Sequence, residues 1–553
     1  MKNSNLPVEK NREYIIDIES VTSEGMGVGH VDGFCVFVPM TAEGDRVKAL
    51  IVKVKSGYAY AKCTDIIKKS KHRREPVCPV FGKCGGCQLM HIEYEKQLQI
   101  KKEIIENALR RIGNIDLMVS RMIGAGDEFR YRNKMIFPFS TDKTGKAVCG
   151  FYRERSHDVI PLKDCYLGDD INSEIISAVM SFMDKYKVTV YDENSHRGIV
   201  RRLFIRKGAF SGEVMVVLSV NADKFDHAEE LAACVSAVSD RIKSIILNHN
   251  TKKTNAVLSD RNTLIFGRET ICDTLCSMQY EISSGSFYQI NPVQTEKLYN
   301  TAINMAHIGK NDTVIDLYCG IGTISLCAAH KAESVAGVEV VEQAIENARK
   351  NAAANNVNNV TFYAGEAERI FPQLVESGIN PDVIILDPPR KGSDETTLSA
   401  IVKASPERIV YVSCNPATLA RDVRYLEDNG YSAADAVGVD MFPQTVHVET
   451  VVLLSQLKQK PDDYINVTIE LDDMDITSAE TKATYDEIKK YVAEHNAGMK
   501  VSNLYISQVK RKCGIEVGKN YNLPKNEDSR QPQCPEDKES AIVEALKHCK
   551  MNK

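Results

Sequence analysis

A cysteine and a glutamate stand where a protein could carry out covalent chemistry on a pyrimidine ring. Cys414 directly follows the apolar run RIVYVS, and Glu449 lies 35 residues further on, in the segment TVHVET. Addition of a thiolate to carbon 6 of a pyrimidine places negative charge on carbon 5, which can then accept a methyl group. A carboxylate can afterwards remove the carbon 5 proton so that the thiol leaves. An isolated cysteine at a strand end is more often a buried core residue than a nucleophile. The neighbouring motifs must therefore distinguish the two roles.

The segment TVIDLYCGIG has the composition of a nucleotide-binding turn. Asp316 lies near the end of an apolar run, and Gly320 and Gly322 follow where the chain must turn sharply. Glu339 ends the next apolar run and can accept hydrogen bonds from two ribose hydroxyl groups. A dinucleotide site needs another glycine three residues after Gly322, but Ser325 stands there. This acid-bearing turn therefore favours S-adenosylmethionine, a cationic sulfonium, over NAD.

Four cysteines have the spacing of a metal site. Cys78, Cys84 and Cys87 lie in the glycine-containing segment CPVFGKCGGCQLMH, and Cys165 follows at a distance. Cysteines in the cytoplasm stay reduced and are more often metal ligands than disulfides. From spacing alone, a structural zinc ion and a [4Fe-4S] cluster both remain possible.

Strand and helix patterns predict the elements that position these residues. From residue 313 onward, apolar runs alternate with amphipathic helices, which predicts a parallel, doubly wound sheet with its site at the carboxyl ends of the strands. Residues 12–67 form short β-rich runs separated by glycine-bearing turns, which predicts a small barrel. A helix is expected over 94–111, a mixture of strands and helices over 115–285, and two or three short helices over 480–553.

Composition excludes several classes of protein. The 553 residues predict three or four domains, and a hydrophobic content of 43% is that of a globular protein. No apolar run is long enough for a membrane span and the N-terminus lacks a signal peptide, so a cytoplasmic protein is expected. The net charge of -5 hides a basic stretch, residues 46–74, with ten Lys or Arg and one acid. Residues 462–480 hold seven acids and no base.

Five motifs, in this order, resemble those of the RNA uracil-5 methyltransferases. They are FYQIN at 287–291, DLYCGIG at 316–322, DPPR at 387–390, SCNP at 413–416 and HVET at 447–450. The resemblance covers about residues 7–457 and implies Cys414 as nucleophile and Glu449 as the proton-abstracting base. It also implies four S-adenosylmethionine contacts, which are Gln289, Tyr318, Glu339 and Asp387. Phe287 would position the target base, although Phe287 and Tyr288 are also plausible packing aromatics.

The same resemblance extends to the N-terminal half. The barrel is similar to the TRAM domain, an RNA-binding module, and the four cysteines match those that hold a [4Fe-4S] cluster in the branch acting on ribosomal RNA. The implied substrate is an unpaired uridine of 23S ribosomal RNA, with no membrane and no obligatory protein partner. Basic segments at 130–134 and 196–207 are further candidates for RNA contact. The sequence does not identify the uridine.

The expected fold class is α/β. It comprises a doubly wound, Rossmann-like methyltransferase domain with an N-terminal OB-like β-barrel, a central α+β module and a small helical C-terminal extension. The expected domains are a TRAM barrel at 7–67, an iron-sulfur-binding central domain at 75–285, a methyltransferase domain at 286–457, an acidic linker at 458–479 and a helical extension at 480–553.

Three alternatives remain open. A cluster-bearing RNA-binding factor without catalysis would not need Cys414, Glu449 and the cofactor motifs together. A cytosine-5 methyltransferase commonly has a cysteine after Asp-Pro-Pro, where this chain has Arg390. The C-terminal extension is either a helix-turn-helix-like nucleic-acid module or a packing appendage, and its three cysteines, Cys513, Cys534 and Cys549, have no metal-ligand spacing.

Overall fold

The computed structural model of the chain describes residues 6–162, 164–457, 485–496, 499–512 and 534–548. The chain forms two compact units, residues 1–460 and 461–553. The expected acidic linker at 458–479 lies outside the described residues, as do Cys513 and Cys549. The predicted α/β class, with its barrel-like N-terminal sheet and helical C-terminal extension, is confirmed.

A curved, barrel-like sheet of six strands forms the N-terminus, in the order β1-β5-β6-β4-β3-β2. Its residues alternate between the two faces, so that Val36, Val38, Ala59 and Ala61 are buried inside. A β-carbon on Gly29 would lie only 2.4 Å from the Asp17 carbonyl oxygen, which explains a glycine at this position inside β3. The strands are β1 Glu13–Asp17, β2 Ser20–Val21, β3 Met26–Val31, β4 Phe34–Pro39, β5 Arg46–Val54 and β6 Tyr58–Lys68.

The predicted helix follows the barrel as α1, Tyr94–Arg111, and a short strand, β7, spans Arg121–Ile123. Apolar side chains on one face of α1, among them Ile105 and Leu109, are fully buried. This face packs into the core of the eight-stranded sheet described below, and β7 forms an edge strand of that sheet. Both elements lie in the stretch that the sequence assigns to the central module.

A seven-stranded sheet, in the order β10-β9-β8-β11-β12-β13-β14, forms the central module. Two helices cover one face, where Ile175 and Phe182 pack on Phe137 and Leu203. The elements are β8 Lys134–Thr141, β9 Ala147–Tyr152, β10 Val159–Pro161, α2 Ile171–Lys185, β11 Val200–Lys207, β12 Val214–Val220, α3 Ala228–Ser236, β13 Ile242–His249 and β14 Asn262–Gly267.

The largest sheet has eight strands, in the order β19-β18-β17-β20-β21-β23-β22-β7. Its central strands are parallel and buried on both faces, as their continuous apolar runs predict. Helices α4 to α6 cover one face, and α7 to α9 with α1 cover the other. A separate two-stranded sheet, β15 Thr270–Leu275 and β16 Met278–Ser283, precedes these elements in the chain. The elements of this region are α4 Pro292–Met305, β17 Thr313–Leu317, α5 Thr323–Ala329, β18 Ser334–Glu339, α6 Glu342–Ala354, β19 Val360–Ala364, α7 Ala367–Glu376, β20 Val383–Leu386, α8 Glu395–Ala404, β21 Arg408–Ser413, α9 Pro416–Asp428, β22 Tyr431–Val439 and β23 Glu449–Gln456.

The second unit contains three helices among its described residues, α10 Tyr485–His495, α11 Asn503–Lys512 and α12 Glu536–His548. They share a small core that includes Ile488, Ile506 and Ile542. The Ser502 hydroxyl accepts a hydrogen bond from the Tyr505 amide and so caps the N-terminus of α11. No helix in the described parts of the chain is both long and apolar enough to span a membrane.

Candidate active site

The sheet brings the sequence-predicted residues to one edge. Leu317, at the end of β17, lies opposite Val338 of β18 and Leu386 of β20. The residues that follow these strands therefore meet at the carboxyl edge of the sheet. They line one cleft of about 1400 Å³, a volume above the usual range for a single small ligand and sufficient for a cofactor and a nucleotide together. All seven residues predicted for catalysis, cofactor binding and substrate binding line this cleft, namely Phe287, Gln289, Tyr318, Glu339, Asp387, Cys414 and Glu449.

Cys414 and Glu449 lie on adjacent antiparallel strands. Ser413 of β21 is paired with Thr450 of β23, so the next residues, Cys414 and Glu449, are neighbours at the strand ends. Burial, followed by the negative charge of Glu449, raises the pKa of the Cys414 thiol to about 11, whereas Arg390 acts in the opposite direction. Burial, followed by Asp387, raises the pKa of the Glu449 carboxyl to about 8. A thiol and a carboxyl group, both with raised pKa values, thus lie side by side in a partly buried region of the cleft.

Glu339 is held in place by the backbone around the glycine turn. Its two carboxylate oxygens accept hydrogen bonds from the amides of Gly320 at 3.2 Å and Val341 at 2.9 Å. Gly320 has a φ of 56°, and a β-carbon there would meet no atom within 4 Å. The backbone at this turn is therefore open to close approach by a ligand, which is the role that the sequence pattern predicts for this glycine.

The cofactor part of the cleft is rich in carboxylates. Burial raises the pKa of Asp387, which lines the cleft, to about 7, and it does the same for Asp316, which is fully buried in β17 and does not line the cleft. Asp316 Oδ2 accepts a hydrogen bond from the Ser325 hydroxyl, whereas Asp316 Oδ1 is buried without a partner in the described structure. Among the described residues that line the cleft, seven are Asp or Glu and three are Lys or Arg. These carboxylates attract positive charge and accept hydrogen bonds, so they fit a ligand that carries positive charge and hydroxyl groups, such as S-adenosylmethionine.

The FYQIN segment presents one aromatic ring to the cleft and buries the other. Phe287 is 64% exposed, whereas Tyr288 is 3% exposed and packs in the core. The fully buried Arg206 guanidinium donates to the carbonyl oxygens of Ser283 and Ser286, which fixes the loop before Phe287. The packing interpretation thus holds for Tyr288 and not for Phe287.

Two further residues at the site were not selected from the sequence. Arg390 and His447 both line the cleft beside Cys414 and Glu449. Burial, and then the positive charge of Arg390, lowers the pKa of His447 to about 4, so its ring is neutral at physiological pH. Their positions in the sequence could have identified them, because Arg390 directly follows Asp-Pro-Pro and His447 is the first residue of the HVET motif.

The four predicted ligand cysteines line one small cavity of about 120 Å³, apart from the large cleft. Arg132 also lines it, and its Nε atom is buried without a hydrogen-bond partner in the described structure. No group of three or more His, Cys, Asp or Glu side chains in the described residues is arranged to hold a metal ion. A [4Fe-4S] cluster differs from a single ion because each thiolate binds a different iron, so the sulfurs surround a volume without converging on one point.

The basic segments at 130–134 and 196–207 are mainly engaged within the protein. Arg130 pairs with Asp164, with an oxygen-nitrogen distance of 2.6 Å. Arg201, 6% exposed, donates to the carbonyl oxygens of Asn250, Lys252 and Thr254. Most cations of these segments therefore fix loops of the central module, which reduces the surface that they offer to RNA.

Comparison with known proteins shows which family and which domain the sequence matches. Residues 93–457 match the family described as tRNA (Uracil-5-)-methyltransferase, and residues 7–64 match the TRAM domain. An uncharacterized RNA methyltransferase of Clostridium acetobutylicum is 43% identical over 455 residues, which are 82% of this chain and 99% of that protein. A relative in Halalkalibacterium halodurans, also described as an uncharacterized RNA methyltransferase, is likewise 43% identical over 82% of this chain and 99% of its own length.

A solved structure extends the similarity to the fold. The tRNA (uracil-54, C5)-methyltransferase of Pyrococcus abyssi, in complex with S-adenosyl-L-homocysteine, is 27% identical, with a TM-score of 0.65 over 80% of this chain and 100% of that one. The doubly wound sheet is thus the fold of an S-adenosylmethionine-dependent methyltransferase, and the TRAM domain indicates an RNA substrate. The chain belongs to the tRNA (uracil-5-)-methyltransferase family of RNA methyltransferases.

Proposed function

We propose that this enzyme methylates carbon 5 of a specific uridine in 23S ribosomal RNA through a covalent adduct between Cys414 and carbon 6. The observation that carries the proposal is the placement of Cys414 beside Glu449 on paired strands, in one cleft with the carboxylates of the cofactor pocket. S-adenosylmethionine, bound by Gln289, Tyr318, Glu339 and Asp387, would supply the methyl group.

Cys414 and Glu449 have complementary roles in this proposal. The Cys414 thiolate forms a bond to carbon 6, and the electron pair of the ring double bond moves to carbon 5, where the methyl group is added. Glu449 then accepts the carbon 5 proton, the ring double bond re-forms, and the bond from sulfur to carbon 6 breaks. Arg390, which counteracts the rise in the pKa of Cys414, favours the thiolate needed for the first step.

The target uridine must leave its base stack to reach this site. Cys414 attacks the face of the ring, which is inaccessible inside a helix, so the base has to be flipped into the cleft. Phe287 is an exposed aromatic at the cleft and is suited to stack on or orient that base. An unpaired or loop uridine is therefore the proposed target.

Within this proposal, the parts of the chain divide the work. Residues 7–67 form the RNA-binding barrel, 75–285 the cysteine-bearing central domain, and 286–457 the methyltransferase domain. Residues 458–479 are an acidic linker, and 480–553 are an extension of unassigned role that lies outside both matched family ranges. Reaction on ribosomal RNA would take place in the cytoplasm.

The preference for 23S ribosomal RNA over transfer RNA rests on the four-cysteine set together with the TRAM domain. The test is mass spectrometry of nuclease fragments from 23S and transfer RNA, isolated from cells with and without the gene. Loss of a 5-methyluridine from 23S RNA is expected. If only transfer RNA loses the modification, the substrate assignment is wrong although the family assignment stands.

We also propose that Cys78, Cys84, Cys87 and Cys165 hold a [4Fe-4S] cluster. Their common cavity and the unpartnered Nε of Arg132 beside it fit an anionic cluster. Methyl transfer requires no redox step, so a structural role for the cluster is proposed, in which it joins the loop at 78–87 to the segment around Cys165.

The iron content provides the test of this site. Protein purified without oxygen is expected to contain about four irons per chain and to absorb visible light. Cys84→Ser is expected to lower the iron content and the solubility, whereas Cys63→Ser, on the barrel, leaves both unchanged. About one zinc per chain, without iron, would show that the cluster assignment is wrong.

Cofactor affinity is expected to depend on pH. The pKa of Asp387 is about 7 in the free protein, so the ionised form that suits a sulfonium increases as the pH rises from about 6 to 8. Apparent affinity for S-adenosylmethionine should increase about tenfold over this range, because it scales with the competent fraction. Asp387→Asn should bind about tenfold more weakly at pH 8 and lose the part of the pH dependence that the ionisation of Asp387 contributes. Calorimetry measures both quantities.

Glu339→Gln should also weaken binding, because one of the two carboxylate acceptors opposite the ribose donors is replaced by an amide donor. Glu376→Gln, at an exposed position on α7, is the matched control and should bind as the wild type does. Equal affinity in all variants, or tight binding of NAD by the wild type, would contradict the cofactor assignment.

A further inference from the structure

Glu449 is placed in the cleft by the loop that precedes it. Residues 440–448 connect β22 to β23, and Glu449, the first residue of β23, is paired in register with Val439 at the end of β22. None of the described residues forms a hydrogen bond with the Glu449 carboxyl group. The position of this carboxyl group therefore depends on the backbone that carries it, which continues from residues 440–448, the β22–β23 loop.

Distant parts of the chain hold five consecutive carbonyl oxygens of the β22–β23 loop, from residue 440 to residue 444. The donors to the first four are the side chains of Gln294, Asn291, Lys101 and Tyr131, in that order, at 3.0 to 3.1 Å. The fifth, the Gln444 carbonyl oxygen, accepts hydrogen bonds from the backbone amides of Gln88 at 3.1 Å and Leu89 at 2.9 Å. Gln88 directly follows Cys87, so the segment after the cysteine-bearing loop is bonded to the loop that leads to Glu449.

Every polar atom of Gln444 has a partner. Its Nε2 atom donates to Glu128 at 2.8 Å, and its Oε1 atom accepts from Arg74 at 2.8 Å. Gln97 of α1 donates to Oε1 at 3.1 Å and accepts from the Gln444 backbone amide at 3.0 Å. Gln444 is fully buried and does not line the cleft, so it can act on a substrate only through the residues that it holds.

The backbone of Gln444 has a conformation that glutamine rarely adopts. Its φ is 72°, in the left-handed region, where a β-carbon is crowded and glycine is favoured. Such residues persist where their surroundings over-determine them, and they cluster at active sites. A glycine would suit this backbone better but would lack the side chain that joins Arg74, Gln97 and Glu128 to the loop. A glutamine here therefore indicates that its side chain is needed.

The turn after Gln444 links its position to that of Glu449. The Thr445 hydroxyl donates to the Phe442 carbonyl oxygen at 2.8 Å, and the His447 amide donates to the Thr445 hydroxyl at 3.2 Å. His447 and Glu449 both line the cleft. The connection from Gln444 to Glu449 is therefore short and hydrogen-bonded, so a displacement of Gln444 would also displace Glu449.

We propose that Gln444 is a positioning residue for Glu449. By joining α1 and the segment after Cys87 to the β22–β23 loop, its amide side chain holds the Glu449 carboxyl group where it can accept the carbon 5 proton. The inference rests on the proposed function and specifies how the base is held. Because Cys414 follows a different strand, β21, loss of the Gln444 side chain is expected to slow release of the RNA and to leave formation of the adduct intact.

Gln444→Ala tests the proposal in the full chain, with ribosomal RNA from cells that lack the gene as substrate. Release of methylated RNA from Cys414 should slow by on the order of 10-fold to 100-fold, because displacement of a catalytic group by about 1 Å has effects of this size. A denaturation-resistant adduct that carries a tritiated methyl group should accumulate. The calorimetric affinity for S-adenosylmethionine should remain that of the wild type, so turnover falls without loss of cofactor binding.

An exchange of two partner side chains tests the same contacts without truncating one. Gln444→Glu alone should slow release, because its carboxylate would face the Glu128 carboxylate. Addition of Glu128→Gln again places an amide donor opposite an acceptor, and this double variant should recover most of the lost rate.

Gln97→Ala removes the same contacts from the side of α1. It should slow release as Gln444→Ala does, and the two changes together should add little, since both remove one interaction. The exchange and Gln97→Ala also decide the proposal if Gln444→Ala does not fold.

Asn359→Ala is the matched control for the loss of a side-chain amide. Asn359 directly precedes β19, at the opposite edge of the same sheet, and donates to the carbonyl oxygens of Ala329 at 2.8 Å and Ala332 at 3.1 Å. This variant should lower the melting temperature and leave the release of RNA at the wild-type rate, because it does not touch the β22–β23 loop.

The outcomes separate this inference from the proposed function. If the wild type methylates RNA while Gln444→Ala and Gln97→Ala release it at the wild-type rate, Gln444 does not position Glu449 and the proposed function stands. The same conclusion follows if the exchange restores nothing, or if Asn359→Ala accumulates as much adduct as Gln444→Ala. If the wild type does not methylate RNA, the proposed function is wrong and the inference fails with it.

Discussion

Cys414→Ala is expected to abolish methyl transfer while leaving the binding of RNA and cofactor largely intact. Without the thiol, carbon 5 of uracil is never activated, and loss of a covalent nucleophile lowers the rate by on the order of 10⁴-fold or more. The fold should tolerate the change, since Cys414 is only partly buried and the smaller alanine side chain leaves no closed cavity at the cleft wall. Incorporation of tritiated methyl groups into RNA measures the loss.

A matched control separates chemistry from general effects of removing a cysteine. Cys234→Ala, on α3 of the central module, lies away from the cleft and should retain wild-type turnover. Filter binding of RNA and calorimetry with S-adenosylmethionine should give similar affinities for Cys414→Ala and the wild type. Near-normal methylation by Cys414→Ala would show that the nucleophile has been assigned incorrectly.

The convergence of the site residues at one edge of the sheet could be predicted from the sequence, because it depends only on the order of strands and helices along the chain. Alternating strands and helices require a parallel sheet, and a parallel sheet places the residues after each strand at the same edge. Cys414, Glu339 and Asp387 each follow or end an apolar run, so their convergence follows from topology alone. The helix at 94–111 was predictable for a similar reason, since its apolar spacing ends at Gly113.

The long-range associations could not be predicted. The packing of α1 and β7 on the methyltransferase sheet depends on contacts between distant residues, such as the fully buried pair Lys101 and Asp440, 2.6 Å apart and separated by 339 positions. The sequence shows Lys101 only as one more polar residue of an amphipathic helix. Its partner becomes evident when the sheet brings Asp440 beneath the helix.

The basic segment at 196–207 shows a second limit. Its arginines, interleaved with aromatics, have the composition of an RNA-binding surface. The structure places three of the four, Arg201, Arg202 and Arg206, on β11, the middle strand of the central sheet. There Arg206 is buried and holds the loop before Phe287. Composition cannot distinguish a cation that faces solvent from one that fixes carbonyl groups inside the protein.

Glu449→Gln is expected to arrest the reaction at the covalent stage. Cys414 can still add to carbon 6 and the methyl group can still reach carbon 5, but no carboxylate remains to accept the carbon 5 proton. Protein and RNA should therefore accumulate as an adduct that survives denaturation, visible as a slowly migrating band on a denaturing gel. Turnover should fall by on the order of 10²-fold to 10⁴-fold, the usual contribution of a general base.

The pH dependence and a double variant make this test specific to the base. Only the ionised Glu449 carboxylate accepts a proton, and its pKa is about 8 in the free protein, so resolution of the adduct by the wild type should accelerate as the pH rises through about 8. Glu449→Gln should lose this acceleration. Cys414→Ala combined with Glu449→Gln should form no adduct, since the bond to carbon 6 requires the thiol. A Glu449→Gln enzyme that binds RNA and cofactor normally, and either turns over at the wild-type rate or never forms an adduct, would show that another group removes the proton.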